Sequence, residues 1–273
     1  MAAAGRGSGH ARTSVWLEGR PAPSRRSEQP AGLDRDKIVA ATVRLLDAEG
    51  LAKFSMRRLA AELGVTAMSV YWYVDTKDDL LELALDAVTG EMRLPEEGDG
   101  DWRDRLRRLA AEYRRLLVTH VWVSPLMGAY LNVGPQAMAF SAAAQEVLRA
   151  SGLAPEQLPG ALSLVHQFVY GFGTIEGRFA ARCREAGISQ DDFFRQVMGT
   201  IEDRPEFGRS VDIMEARGGG SVAEMRARDF DFALDCAIAG IEAMRRRTPG
   251  EGAGETSGDE RSGSAGGSGG TAD

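Results

Sequence analysis

LAAELGVTAMSVYWYVDTKDDLLELAL, residues 59–85, is the stretch that decides how the rest of the chain is read. Leu59 and Leu63 stand four apart, the spacing of inward residues on one helix, and Ser55 ahead of them can cap that helix by accepting a backbone N–H. Gly64 then supplies a sharp turn where a positive φ carries no Cβ penalty. Thr66 can cap a third, very short helix over 67–73, anchored by Val70 and Val74, with Ala67, Met68, Ser69 and Tyr73 facing outward. Thr76 and Asp79 make a capping-box pattern that starts a fourth helix over 77–93, with Leu81, Leu85, Val88 and Met92 along one face. A helix as short as the third must be held by its neighbours.

Upstream, residues 35–49 place Ile38, Ala41, Leu45 and Leu46 on one face and charges on the other, which predicts a longer bracing helix. Two short helices joined by a glycine turn and braced in this way form a helix-turn-helix, the geometry that presents the second helix to the DNA major groove. Downstream, apolar residues keep recurring at three and four, as in Leu106, Leu109, Tyr113, Leu116 and Leu117, with little alternation of period two. Breaks at glycine and proline divide the middle into about nine or ten helices, so the predicted fold is all-α. The expected organisation is a flexible N-terminal arm at 1–31, a three-helix head with the helix-turn-helix at 32–76, a larger helical body at 77–247, and a disordered Gly/Ser-rich tail at 248–273.

Composition narrows the class. With 273 residues and 43% hydrophobic content the chain buries an ordinary core, and its longest apolar runs fall short of a bilayer span. The two cysteines, Cys183 and Cys236, have no metal-binding spacing and suit a reducing cytoplasm, which is the expected location. Neither His120 nor His166 lies near a GxSxG, HExxH, CxxC or phosphate-loop motif, so no catalytic residue, metal or cofactor is expected. A net charge of -7 gives no chain-wide attraction for nucleic acid, so any DNA contact must be local.

The head resembles the tetracycline-repressor (TetR) family. The LGV turn, the YWYV end of the third helix and the TKDDLL entry to the fourth carry the likeness, and IVAATVRLLDAEGLAKFSMRRLA at 38–60 extends it over the whole head. The resemblance implies that Arg57 reads a base, as a guanidinium can do on guanine O6 and N7. It sets Ala67, Met68 and Ser69 against base edges, the first two reading thymine methyls or shape. Tyr71, Tyr73 and Lys77 then approach phosphates. Ser55 and Thr66 count among the DNA-side residues, although capping alone explains both. Tyr71 divides evenly between phosphate contact and core, and Trp72 is assigned to the core. Asp75, Asp78, Asp79 and Glu82 must point away from DNA, and Arg20, Arg25 and Arg26 of the arm either supply the missing attraction or belong to an inert extension.

In the body, the apolar stripe of 155–186 contains Gly173 and Gly177, small residues four apart that admit another helix closely. The family's last two long helices dimerise, so Val169, Phe172, Gly173 and Gly177 are expected to meet Phe230, Leu234, Ala237, Ile238 and Ile241 in a four-helix interface with a second copy. A homodimer would read two half-sites of a double-stranded, near-palindromic operator. Trp122, Met127, Tyr130, His166, Phe168, Tyr170 and Glu176 are the candidates for a pocket taking an unidentified small-molecule effector, with internal packing the competing account of each. The implied function is a transcriptional repressor released from its operator by that ligand; the alternatives are a helical ligand-binding protein without operator binding and, far behind, an enzyme.

Overall fold

The computed structural model describes residues 14–17, 33–96, 98–201, 204–208, 213 and 216–246, and among these there is no strand. Helix α1, Arg35–Glu49, begins where Asp34 Oδ1 accepts the Lys37 N–H at 2.7 Å, and it buries Ile38, Ala41, Thr42, Leu45 and Leu46. Helix α2, Met56–Glu62, starts on Ser55, whose Oγ accepts from Arg58 N. Gly64 takes φ +66°, the left-handed turn the sequence called for, and Thr66 caps α3, Ala67–Tyr71. Both α3 and the next helix are shorter than their periodicity implied, because apolar spacing persists through turn residues that no longer hold helical hydrogen bonds.

Helix α4, Lys77–Thr89, carries the capping box of Thr76 and Asp79 and ends at Gly90. It is buried on nearly all sides from Asp79 to Asp86, so it is the axle between the three small helices and the rest. The larger part comprises α5 (Trp102–Thr119), α6 (Val123–Met127), α7 (Pro135–Arg149), α8 (Leu158–Glu185), α9 (Gln190–Ile201), α10 (Pro205–Gly208) and α11 (Val222–Arg246). Helix α7 borrows its cap from the axle: Asp86 Oδ1 accepts both Gln136 N and Ala137 N at 3.0 Å. Gly134 is needed there because a Cβ would overlap the Asp86 carboxylate. Burial raises the Asp86 pKa against the lowering pull of those two N–H groups.

The most extensive helix pair is α5 against α8. A Cβ on Gly177 would stand 2.8 Å from the Leu117 carbonyl oxygen, and one on Gly173 would stand 3.0 Å from Leu117 Cβ. These glycines therefore admit α5 of the same protomer, which corrects their assignment to an intersubunit contact. Val169, Phe230, Leu234, Ile238 and Ile241 are likewise buried within the protomer, and Phe172 packs on Phe230 with the Arg114 guanidinium over both rings. The apolar surface of Val169, Phe230, Leu234, Ile238 and Ile241 is already removed from water and is not free for a second copy, whereas Phe172 is half-buried.

A second correction concerns the arm. Ser14 is 2% exposed, and its hydroxyl donates to Glu82 Oε2 of α4 at 2.6 Å, while the Trp16 ring lies beside the Arg35 guanidinium. Three residues of the stretch expected to be flexible, Ser14, Val15 and Trp16, are thus packed against the core, while Leu17 is exposed. The remainder of that stretch, including Arg20, Arg25 and Arg26, and the tail at 248–273 lie outside the described residues.

Candidate DNA-reading surface and ligand cavity

On the small helices, the exposed groups converge around α3. Met68 is 69% exposed, and Tyr71 and Trp72 stand out beside it, Trp72 at 39%, so the assignment of Trp72 to the core is wrong. Ala67 is half-buried, and Ser69 keeps its hydroxyl 2.9 Å from Thr66 Oγ1 at the rim of the same surface. Arg57, the second residue of α2, is exposed and makes no ion pair among the described residues. Its neighbour Arg58 is the engaged one, held by Glu49 and Glu62, with the Glu49 hydrogen bond raising its pKa.

Tyr73 does not face outward. It is 9% exposed, and its hydroxyl donates to the Leu33 carbonyl at 2.7 Å, tying the end of α3 to the segment before α1. Lys77 is half-buried; its Nζ donates to the Phe54 carbonyl at 3.1 Å and sits over the Phe54 ring, which fastens the start of α4 to the α1–α2 connection. Of the four acidic residues that had to be turned away, Asp79 is consumed in the capping box and Glu82 is buried against Ser14, whereas Asp75 and Asp78 are exposed.

Behind this surface lies a cavity of about 370 Å3, walled by Leu85 and Thr89 of α4, Tyr113 of α5, Met127 of α6, Phe140 of α7 and His166 of α8. Tyr113 and His166 stack with centroids 5.3 Å apart and planes 21° apart, and Phe140 tilts against Tyr113 at the same distance. Partial desolvation lowers the His166 pKa although the residue as a whole is exposed, and burial raises the Tyr113 pKa, so the phenol stays protonated. The Tyr113 hydroxyl rests on Met127 Sδ at 3.4 Å. The walls suit a flat, largely apolar molecule with a few hydrogen-bonding groups.

Of the residues singled out for a pocket, Met127 and His166 line this cavity. The others are used internally. Glu176 takes two hydrogen bonds from Arg114, at 2.7 and 3.0 Å. Tyr170 donates to the Ser124 carbonyl at 2.8 Å, and Phe168 stacks on Phe230. Trp122 is buried and donates to Asp47 Oδ1, and Tyr130 donates to Asp78, with burial and then Asp78 raising its pKa to about 12. The sequence reading missed Leu85, Thr89 and Asn132 on the walls. Asn132, held at φ 46°, follows no pattern that sequence spacing could reveal.

Two family models cover the chain: "Bacterial regulatory proteins, tetR family" over residues 38–84 and "Tetracyclin repressor-like, C-terminal domain" over residues 94–245. The chain is 34% identical to the HTH-type transcriptional repressor DrrR1 of Streptomyces coeruleorubidus over 88% of its own length and 87% of that protein's. An HTH-type transcriptional regulator of Saccharopolyspora erythraea is 42% identical over 58% of this chain and 65% of the relative. Among solved structures, Streptomyces coelicolor ActR in complex with actinorhodin superposes with a TM-score of 0.65 and 28% identity, over 80% of this chain and all of ActR.

Proposed function

Because the chain belongs to the TetR family of bacterial transcriptional regulators, which are not enzymes, we propose that it is a cytoplasmic, homodimeric repressor released from a near-palindromic operator by a flat aromatic effector. One observation carries the reading: α4 is at once a wall of the cavity, through Leu85 and Thr89, and the support of the reading head, through Lys77 and the capped helix start at its other end. A ligand that prefers a different α4 position changes the separation of two heads and hence their fit to the half-sites. The DrrR1 likeness supports repression, and the ActR–actinorhodin complex supports a polycyclic aromatic effector held by the Tyr113–His166 stack.

Arg57, Ser69, Met68 and Tyr71, with Ala67 and the caps Ser55 and Thr66 behind them, form the operator-facing set, and Lys77 steadies it from the side. The dimer face we assign to the side of α8 and α11 that the protomer leaves uncovered: Leu164 and Ile175 on α8, and Phe232, Cys236 and Gly240 on α11, with half-buried Gly171 and Ala237 among them. No helix among the described residues is long and apolar enough to cross a membrane.

The test is selection of bound sequences from a random DNA pool, followed by titration of the selected duplex with actinorhodin and then a panel of polycyclic aromatics. The expected result is a two-fold symmetric site, binding that weakens with salt, and release by at least one aromatic compound. Linkage requires operator to weaken that compound's binding by the same factor. Tight binding of aromatics with no enriched DNA sequence would favour the alternative, a ligand-binding protein without operator binding.

A further inference from the structure

We propose that Asp47, His120 and Trp122 form a clasp that carries the state of the cavity to the reading head by a path separate from α4. Asp47 lies on α1 of the head. One of its oxygens, Oδ1, accepts both from Trp122 Nε1 at 2.7 Å and from His120 Nδ1 at 2.7 Å. His120 is 5% exposed and closes the C-terminal end of α5, where its backbone N–H donates to the Leu116 carbonyl. Its second ring nitrogen, Nε2, meets Glu91 Oε2 just beyond α4 at 3.2 Å. Burial opposes charge on this ring, but a carboxylate at each nitrogen favours a proton on both and raises the His120 pKa.

The same short segment reaches the cavity. Val123 N donates to the His120 carbonyl, so α6 begins directly on the clasp, and α6 ends at Met127, whose side chain is cavity wall and whose sulfur takes the Tyr113 hydroxyl. Midway, the Ser124 carbonyl is held by Tyr170, the ring beside His166. Residues 120–127 therefore touch the effector site at one end and grip the head at the other. A single helical turn transmits displacement along its axis, and charge-assisted bonds of 2.7 Å weaken steeply when stretched or bent. A ligand that moves Met127 must either drag α1 or break the clasp, and α1 is the helix that braces the reading pair α2–α3.

Asp47, His120 and Trp122 are positioning residues: none lines the cavity, and none is among the exposed groups around α3. The inference rests on the operator-binding function proposed above. It is tested by hydrogen–deuterium exchange of the full chain with and without the selected operator duplex. In the wild type, operator is expected to change exchange across residues 123–127. Asp47→Ala is expected to bind operator within about threefold of wild type while losing at least half of that change, with the response of α4, residues 77–89, retained. Asp47→Asn, which keeps an acceptor, is expected to recover more of the response than Asp47→Ala, and His120→Gln more than His120→Ala. Should Asp47→Ala fail to fold, Trp122→Phe, which keeps the ring and removes the donor, is read in the same way. An undiminished α6 response in the folded clasp variants, or an unresponsive α6 in the operator-bound wild type, overturns the clasp alone. A chain that enriches no operator overturns the proposed function and the clasp with it.

Discussion

Arg57 and Arg58 stand side by side on α2, and what each can do is decided by its partners. Arg58 spends its donors on Glu49 and Glu62, whereas Arg57 makes no ion pair among the described residues and points to solvent beside α3. Arg57→Ala should therefore lower specific operator affinity by about 1–3 kcal/mol and leave the melting temperature unchanged. A shift in stability with unaltered DNA affinity, read by anisotropy and thermal melts, would remove Arg57 from the reading surface. His120 offers a pH test. Burial opposes its charge, but the Asp47 and Glu91 carboxylates outweigh burial and raise its pKa above the ordinary value of about 6.5. Because the folded state binds the proton more tightly than the unfolded chain, the stabilisation is complete below about pH 6.5 and fades as pH rises through the raised value. The stability difference between wild type and His120→Gln, from urea unfolding, should be larger at pH 6 than at pH 9; an equal difference would mean that packing alone holds the ring.

At the scale of helices, what could be read from the sequence was local. The caps at Ser55, Thr66 and Thr76 and the turn at Gly64 act over three or four residues, and the structure holds each of them. Partners distant in sequence were not legible. Tyr73 looked outward from its helical phase, yet its hydroxyl partner is the carbonyl of Leu33, and Glu176 looked like a ligand group until Arg114 of another helix reached it. A stripe of small residues likewise announces that a helix approaches without saying whose. For Gly173 and Gly177 it is α5 of the same protomer. Gly177→Ala should force the Leu117 backbone away and destabilise the protein by about 1–3 kcal/mol. Gly171→Ala meets open space and should leave the protomer as stable or raise its stability by up to about 1 kcal/mol. Chemical denaturation separates the two, and equal effects would contradict the α5–α8 packing.

For the whole molecule, the misread glycines also move the expected dimer face to the opposite side of α8 and α11. Ile175 and Phe232 are large, apolar and more than two-thirds exposed, a combination unfavourable on a surface that nothing covers. Ile175→Asp combined with Phe232→Asp should give a monomer by sedimentation, with its near-ultraviolet circular dichroism intact and operator affinity reduced at least tenfold, since one head then reads one half-site. Retention of a dimer would place the interface elsewhere. The packed residues Ser14–Trp16 carry a different consequence. The tetR-family match begins at residue 38, yet the Glu82 carboxylate inside that match has its hydroxyl donor at Ser14. Ser14→Ala, which keeps the segment in place, would leave the buried Glu82 carboxylate without that donor, a defect worth about 1–3 kcal/mol. Sequence change upstream of the family boundary can thus adjust the regulator's set point while every recognisable motif stays the same.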